Sequence, residues 1–218
     1  MNIRSTEAAW TTLLVIAKEP VPGRVKTRLT PPYTPREAAT LAEAALTDTL
    51  HTMLRVPARR RILVLDGTPG PWLPTGFTVV PQASGGLDER IAAAFALCDD
   101  GPALLVGMDT PQLTPVSLTA VGCGEHDAWF GPAVDGGFWA LGFADPARAV
   151  ALVRGVPMST DSTGAIQRRR LTEAGLSVAD LPLLRDVDCE ADAVSVAACC
   201  PPGSRFASAL AGFAEPAR

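Results

Sequence analysis

The sequence predicts an α/β fold, a three-layer α/β/α sandwich built on a mainly parallel, mixed sheet. Apolar runs of strand length alternate with helical stretches from the start of the chain, separated by Gly and Pro. Most of these runs lack a polar residue at every second position, which indicates strands that are covered on both faces. No repeat or linker divides the sequence, so we expect one domain over residues 1–218.

Six segments are predicted to be strands because they are short, apolar and bounded by turn-forming residues. They are residues 12–17, 61–66, 77–81, 103–107, 128–130 and 138–143. The clearest predicted helix follows Thr34, which can cap it, with Pro35 at the first helical position and Glu37 completing a capping box. It runs to about Leu54. Further helices are predicted at about 87–98, from 114, at about 146–154, 162–174 and 190–198, and after residue 202.

The composition excludes several kinds of partner. Of the 218 residues, 47% are apolar and 19% are charged, which is typical of a globular protein. The net charge of −4 gives no global attraction to nucleic acid or to an anionic membrane, so we expect neither as a partner. Any anion must therefore be bound by a local cluster of basic groups.

Cysteine usage and the N-terminal segment predict a cytoplasmic protein with reduced, buried thiols. No Cys-x-x-Cys pair is present, the segment before residue 10 is too polar for a signal sequence, and the apolar run 13–17 is too short to span a bilayer. Alternatively, Cys123 and the Cys199-Cys200 pair are reactive. The other cysteines are Cys98 and Cys189.

A basic segment follows the first predicted strand, at the end of the strand where open α/β sheets bind ligands. Lys18, Arg24, Lys26 and Arg28 fall within eleven residues, on a loop that contains two prolines and Gly23. Guanidinium forks and lysine charges match phosphate oxygens, so the segment predicts a site for a di- or triphosphate. It is not a Walker A loop, because the second glycine is missing. The alternative is a solvated basic loop paired with acidic neighbours.

Carboxylates follow two other segments. Asp109 comes directly after the fourth predicted strand, while Asp186 and Asp188 lie two residues apart in an extended stretch and therefore point the same way. Paired carboxylates repel each other unless a cation lies between them, so we expect a divalent metal, with Asp109 completing its ligands. The alternatives are that Asp109 is a turn residue and that Asp188 caps the next helix.

The run Asp135-Gly136-Gly137 predicts a tight turn in which another molecule can approach the backbone closely. It is also a good hairpin turn between two strands, and the two roles are compatible. We therefore predict that these residues line an acceptor pocket. His51 and His126 have no partner at a motif spacing, so a Ser-His-Asp mechanism lacks support.

Taken in order, these motifs resemble the DUF2064 family. The segments that carry the resemblance are Pro-x-Pro-Gly-Arg-Val-Lys-Thr-Arg-Leu, Gln82-x-x-Gly85-x-Leu87-x-x-Arg90, Gly-Met-Asp-Thr-Pro, Gly-Pro-Ala-Val-Asp-Gly-Gly-Phe and Asp-Val-Asp. Members are usually labelled GT-A-type glycosyltransferases, among them transferase 1 of radical-SAM/selenodomain clusters. They are similar in turn to 2-phospholactate and molybdenum-cofactor guanylyltransferases. The resemblance thus implies a fold of the nucleotide-diphosphosugar transferase (GT-A) type.

The resemblance also implies roles for individual residues. Mg²⁺ or Mn²⁺ would be bound by Asp109, Asp186 and Asp188, and the catalytic residues would be Lys26 and Asp109. The nucleotide phosphates would face Lys18, Gly23, Arg24, Lys26, Arg28, Gln82, Gly85 and Arg90. Two positions depart from the family pattern: Asp88 stands where glycine often follows leucine, and Phe138 replaces the usual tyrosine, which removes a hydroxyl. A tryptophan-serine pair found in many members is also absent, which leaves the acceptor side open.

We therefore expect a metal-dependent transferase that uses a nucleotide or nucleotide sugar and a small-molecule acceptor. The family label favours transfer of a sugar, which leaves a nucleoside diphosphate. The four basic side chains of one loop favour nucleotidyl transfer from a triphosphate to a phosphorylated small molecule, which releases pyrophosphate. A non-catalytic nucleotide sensor is a further alternative that the fold alone does not exclude.

Overall fold

The computed structural model describes residues 10–119 and 126–214, and Cys123 lies outside these ranges. Seven strands form one sheet in the order β3-β2-β1-β4-β6-β5-β7. The strands are β1 (Trp10–Lys18), β2 (Ala58–Asp66), β3 (Thr78–Pro81), β4 (Ala103–Val106), β5 (Ala128–Pro132), β6 (Phe138–Phe143) and β7 (Val178–Asp180). All neighbours pair in parallel except β6, which is antiparallel to both β4 and β5. The predicted α/β class with a mainly parallel, mixed sheet is confirmed.

Each of the six predicted strands is present, but β7 was missed. This strand has three residues, none of them buried, and it pairs only with β5 at one edge of the sheet. A run so short and polar gives no apolar signal, because an edge strand is fixed by backbone pairing rather than by a buried face.

Seven helices accompany the sheet in the described residues. They are α1 (Pro35–Arg55), α2 (Leu87–Phe95), α3 (Pro115–Thr119), α4 (Ala149–Val153), α5 (Thr163–Glu173), α6 (Glu190–Cys199) and α7 (Arg205–Ala214), with short 3-10 turns at Thr27–Leu29 and Pro146–Arg148. The capping box predicted at α1 is confirmed, because the Glu37 amide donates to the Thr34 hydroxyl at 3.3 Å and the Thr34 amide donates to the Glu37 carboxylate at 2.7 Å.

Alternating residues of β1 belong to different cores, which shows that both faces of the sheet are covered. Leu13 and Val15 pack in the cluster that contains Leu46 and Leu50 of α1. Leu14 packs in the opposite cluster with residues of α2, α4 and α5. Because both faces are buried, the strands read as continuous apolar runs rather than alternating ones.

The last two helices add a further layer on the outside of α1. Side chains of α1, α6 and α7 share a third core, which also contains Val187. Asp48 of α1 is buried and accepts hydrogen bonds from the Ser204 hydroxyl at 2.7 Å and the Phe206 amide at 3.0 Å. One carboxylate in the middle of α1 therefore accepts the hydrogen bonds of donor groups at the start of α7.

The expectation of buried thiols was wrong for the four described cysteines. All are free, but Cys189 and Cys199 are exposed, and Cys98 and Cys200 are only partly buried. Three of the four lie at the ends of α6, whose buried residues are Ala193 and Val196. As an outer helix α6 buries one narrow face, so its terminal residues meet solvent. Among the described residues, no helix combines the length and apolarity needed to cross a membrane.

The sheet order places a crevice beside β1. Its neighbours on the two sides are β2 and β4, and the register that pairs Val15 with Val106 brings the carboxyl ends of β1 and β4 to the same edge. The chain passes from β1 to β2 on one side and later returns from β3 to β4 on the other side, so the strand order reverses at β1. This is the position where open α/β sheets bind ligands.

Candidate active site

A cavity of about 490 Å³ lies at this edge of the sheet. The residues around it come from the ends of β1, β4 and β6, the start of α2 and the segment before α5. Among those that the sequence singles out, it is lined by Lys18, Arg28, Gln82, Arg90, Asp109, Asp135, Gly137, Asp186 and Asp188.

Lys26 joins two carboxylates that are far apart in the sequence. Its ammonium donates to Asp109 Oδ2 at 2.7 Å and to Asp188 Oδ1 at 3.1 Å, and its side chain is only 12% exposed. Burial acts to lower the pKa of Lys26, but the charges of Asp109 and Asp188 outweigh it and raise this pKa above its ordinary value. Lys26 therefore remains a cation between two anions.

The backbone at Lys26 is left-handed, with φ 47° and ψ 41°, directly before the 3-10 turn. A non-glycine residue in this region costs free energy unless its surroundings fix it. Here the two carboxylates hold the side chain. Arg28 follows within the 3-10 turn and donates to Asp188 Oδ2 at 3.1 Å, although the Arg28 side chain is 77% exposed.

Backbone pairing brings Asp186 and Asp188 next to the end of β4. The Val187 amide donates to the Asp109 carbonyl at 3.0 Å. The Val187 side chain is buried in the core shared by α1, α6 and α7, while Asp186 and Asp188 line the cavity. The two carboxylates thus lie on the side opposite to Val187, as alternation in an extended segment requires. Asp188 is not a helix cap, because the first position before α6 is Cys189, whose amide donates to Asp192.

Asp186 is the least solvated of these carboxyl groups. Burial raises its pKa to about 8, and the negative charges of Asp109 and Asp135 act in the same direction. Its Oδ1 atom is buried and has no hydrogen-bond partner among the described residues. A buried acceptor without a partner is costly, so this oxygen is suited to a ligand or cation in the cavity.

The side chains that would hold a divalent cation offer donor atoms of the type that it prefers. All are carboxylate oxygens, which Mg²⁺ prefers, and Mg²⁺ needs only one or two carboxylates because water and phosphate supply the rest. Within residues 10–119 and 126–214, no group of three or more acidic, cysteine or histidine side chains is placed so that it could hold a metal ion together. Lys26 holds Asp109 and Asp188 together, and Asp186 adds an oxygen without a partner.

The basic side chains divide into two groups. Lys18, Arg28 and Arg90 line the cavity, whereas Arg24 is exposed and does not line it. The Arg24 amide donates to the Val21 carbonyl at 3.0 Å, which closes a turn around Gly23 with its φ of 76°. This turn leaves both Gly23 and Arg24 outside the cavity lining, so the structure does not bring them to the predicted phosphate site.

Gln82 and Gly85 have local structural roles. The Gln82 amide donates to the Ala17 carbonyl at 2.7 Å, and its oxygen accepts from Arg90 Nη1 at 3.3 Å, so Gln82 positions Arg90 at the cavity. Arg90 Nε is buried and has no partner in the part of the chain that the structure describes. Gly85 has a φ of 105°, and a Cβ there would collide with Glu89, so this glycine shapes the start of α2.

The predicted turn at Asp135 connects β5 to β6 as a hairpin and also borders the cavity. Asp135 Oδ1 accepts from the Gly137 amide at 2.8 Å, and the Ala133 amide donates to the Gly137 carbonyl at 3.1 Å. Gly136 has a φ of 89°, and a Cβ on it would collide with the Asp161 carbonyl. Both proposed roles of this turn are therefore compatible with the structure.

The segment before α5 was missed by the sequence analysis. Four of its residues line the cavity, together with Thr163, the first residue of α5: Met158, Ser159, Thr160 and Asp161. It is tied to the hairpin because the Gly164 amide donates to the Gly136 carbonyl at 2.8 Å. A polar run before a helix is an ordinary cap signal in the sequence, and only this tertiary contact brings it to the cavity.

Solved structures define the class of protein by its fold. A protein of Desulfovibrio desulfuricans G20, provisionally assigned as a nucleotide-diphospho-sugar transferase, shares 24% identity at a TM-score of 0.81, over 94% of each chain. The CMP:2-keto-3-deoxy-manno-octonic acid synthetase complexed with CTP shares 10% identity at a TM-score of 0.53, over 85% of this chain and 96% of that one. The 4-diphosphocytidyl-2C-methyl-D-erythritol synthase of Anaerococcus prevotii DSM 20548 shares 11% identity at a TM-score of 0.51, over 94% and 97%. The fold is thus that of nucleotide-diphospho-sugar transferases and nucleotidyltransferases.

The family follows from the sequence itself. The chain belongs to DUF2064, described as an uncharacterized protein conserved in bacteria, which it matches over residues 40–160, more than half of its length. The resemblance noted from the motifs is confirmed. No curated protein matches the sequence.

Replacement of Gly136 by alanine should destabilise the protein strongly. A side chain at this φ costs about 1–3 kcal/mol in backbone strain, and the collision with Asp161 adds to it. Gly175→Ala is the matched control, because Gly175 has a φ of 75° but no described atom within 4 Å of the added Cβ. Urea unfolding should show the larger loss for Gly136→Ala. Equal losses would mean that the hairpin does not pack against the segment before α5.

Replacement of Asp186 by asparagine should change the pH dependence of stability. Because the folded-state pKa of Asp186 is raised from 3.8 to about 8, the folded protein binds the extra proton between these values. The stability that Asp186 contributes is therefore complete at low pH and is lost as the pH rises towards 8. In chelator-treated buffer, the Tm of Asp186→Asn relative to wild type should rise as the pH increases from about 4 to about 8. A flat difference for Asp186→Asn would contradict the assignment.

Proposed function

We propose that this protein is a divalent-metal-dependent transferase that moves a sugar from a nucleotide diphosphosugar to a small-molecule acceptor. The observation that carries the proposal is the Lys26 ammonium between Asp109 and Asp188, next to the cavity of about 490 Å³ at the ends of β1 and β4. The fold shared with nucleotide-diphospho-sugar transferases supports it.

The donor phosphates would be bound by Lys18, Arg28 and Arg90. These three line the cavity, and Arg90 retains a buried N–H without a partner in the described residues. Guanidinium groups bind phosphate oxygens through paired N–H donors, and lysine adds a mobile charge. Gln82 contributes indirectly, because its carbonyl oxygen holds Arg90 in place.

Asp109, Asp186 and Asp188 are the residues that would hold Mg²⁺ or Mn²⁺. When bound, the cation supplies positive charge against the departing phosphate oxygens. Lys26 orients Asp109 and Asp188 towards one point, and its charge adds to the stabilisation of the leaving group. Lys26 and Asp109 are therefore the residues proposed as catalytic.

The reaction needs no covalent enzyme intermediate. An acceptor oxygen forms a bond to the anomeric carbon while the bond from that carbon to the phosphate oxygen breaks. The electron pair of the broken bond stays on the nucleoside diphosphate, and the hydroxyl proton passes to a carboxylate of the cavity wall. The cavity contributes by holding both reactants in contact and by limiting access of water.

The distribution of the basic residues favours a diphosphate over a triphosphate. Of the four basic side chains on the loop after β1, Arg24 lies outside the cavity and Lys26 is engaged by two carboxylates. Lys18 and Arg28 remain, and Arg28 is shared with Asp188. With Arg90 the cavity offers three basic side chains, fewer than the four of one loop that favoured nucleotidyl transfer from a triphosphate.

Nucleotidyl transfer to a phosphorylated molecule is the second candidate. Its support is the fold shared with a synthetase whose structure contains CTP. A non-catalytic nucleotide sensor has less support, because three carboxylates beside an anionic ligand would weaken binding without benefit.

Incubation with donors of each class separates the candidates. With Mg²⁺ and a panel of nucleotide sugars, we expect slow release of nucleoside diphosphate, since water can replace the acceptor. With nucleoside triphosphates we expect no pyrophosphate above the enzyme-free rate. Pyrophosphate release with no nucleoside diphosphate would establish the second candidate. Binding in a thermal-shift assay without either product would indicate a sensor.

Asp109→Ala and Asp188→Ala should each abolish metal-dependent turnover of the donor. The loss should exceed about 100-fold, as expected when a group that stabilises transition-state charge is removed. Asp100→Ala, at an exposed position outside the cavity lining, is the matched control and should retain activity. Circular dichroism should show folded protein for all three variants. Full activity in both cavity variants would eliminate the proposed metal ligands.

A further inference from the structure

The cavity has one wall without basic residues. We name as the acceptor wall the cavity-lining residues of segments 135–139 and 158–163, which pack together through Gly136 and Gly164. These two segments carry the carboxylates Asp135 and Asp161 and contain no Lys or Arg. The basic residues Lys18, Arg28 and Arg90 come from other segments.

Amide groups at the N-terminus of α5 donate hydrogen bonds to carbonyl groups of the protein itself. A helix N-terminus at a cavity would otherwise be a natural site for phosphate. Here the Thr163 amide donates to the Thr160 carbonyl at 3.2 Å, and the Gly164 amide donates to the Gly136 carbonyl at 2.8 Å. These two amides are therefore occupied and are not available to an anion.

The remaining acceptor-wall residues combine apolar surface with hydroxyl groups. Phe138 lies on Phe130 with ring centroids 5.8 Å apart and also borders the cavity, as does Met158. Thr160 contributes an exposed hydroxyl-bearing side chain. Such a wall suits a carbon skeleton that carries hydroxyl or ammonium groups, because carboxylates accept hydrogen bonds and apolar side chains cover the skeleton.

From this arrangement we infer that the acceptor is a neutral or cationic alcohol and not a phosphorylated or carboxylated molecule. The inference rests on the proposed function, since it concerns the acceptor of that same reaction. An acceptor phosphate placed against Asp135 and Asp161 would meet two like charges, and neither segment offers a positive group to offset them. A hydroxyl or ammonium group would donate to the same carboxylates.

Matched pairs of probes test the inference. Choline and phosphocholine, benzyl alcohol and benzyl phosphate, and glycerol and glycerol 3-phosphate differ only by the phosphate. Their Kd values are measured by ligand-observed NMR on the full chain with Mg²⁺ and a saturating nucleoside diphosphate. We expect the free alcohols to bind at least about tenfold more tightly than their phosphates. Equal binding within the pairs, tighter binding of the phosphates, or no binding of any alcohol would overturn the inference.

A charge reversal in the acceptor wall provides the internal control. Asp161 is exposed and its side chain makes no hydrogen bond or ion pair that holds the described fold together, so Asp161→Lys should fold. In each pair, this variant should reduce or invert the preference for the alcohol over its phosphate. Asp161→Asn should reduce that preference by a smaller factor. Asp100→Lys, which makes the same change in charge outside the cavity lining, should keep the wild-type preference. An unchanged preference in Asp161→Lys would also overturn the inference.

Failure of the inference can be told from failure of the proposed function. Two quantities are measured without any acceptor: the binding of a nucleoside diphosphate, and the release of nucleoside diphosphate from a nucleotide sugar. If these are present while phosphates bind as well as alcohols, only the acceptor class is wrong. If neither occurs with any donor, the proposed function itself fails.

Discussion

The edge of the sheet that carries the candidate site depends on one partly buried ammonium group. Lys26 donates to Asp109 at 2.7 Å and to Asp188 at 3.1 Å, and without it two carboxylates would face each other beside Asp186. Desolvating an ion pair is costly, and the geometry must be good for the attraction to offset that cost. The left-handed backbone at Lys26 and the pairing of Val187 with Asp109 both serve this geometry.

That interaction also organises charge across the cavity. Lys18, Arg28 and Arg90, which suit phosphates, line the same cavity as the carboxylates Asp109, Asp135, Asp186 and Asp188, and Arg28 is paired with Asp188. Basic groups for the anionic end of a donor and carboxylates for a cation are thus brought to one cavity. Electrostatics as well as shape can then fix the orientation of a bound donor.

Much of the fold could be predicted from the sequence because its signals are local. Apolar runs identify central strands, and the Thr34–Glu37 capping box marks the start of α1. The convergence of Asp109 and Asp188 was predicted because paired carboxylates need a cation between them, and in the structure Lys26 lies between these two. What could not be predicted depends on tertiary contacts. Nothing local in the sequence shows that Arg24 turns outward or that Asp161 reaches the hairpin. The edge strand β7 also has no local signal.

The way in which α7 is attached to the rest of the protein has a consequence for biosynthesis. Asp48 of α1 caps the start of α7, and Val187, which separates Asp186 from Asp188, packs in the core that α6 and α7 share with α1. The last strand, β7, ends at Asp180, before α6 begins at Glu190. Every strand of the sheet is therefore synthesised before the two helices that help to fix the position of Val187, and with it that of the two carboxylates.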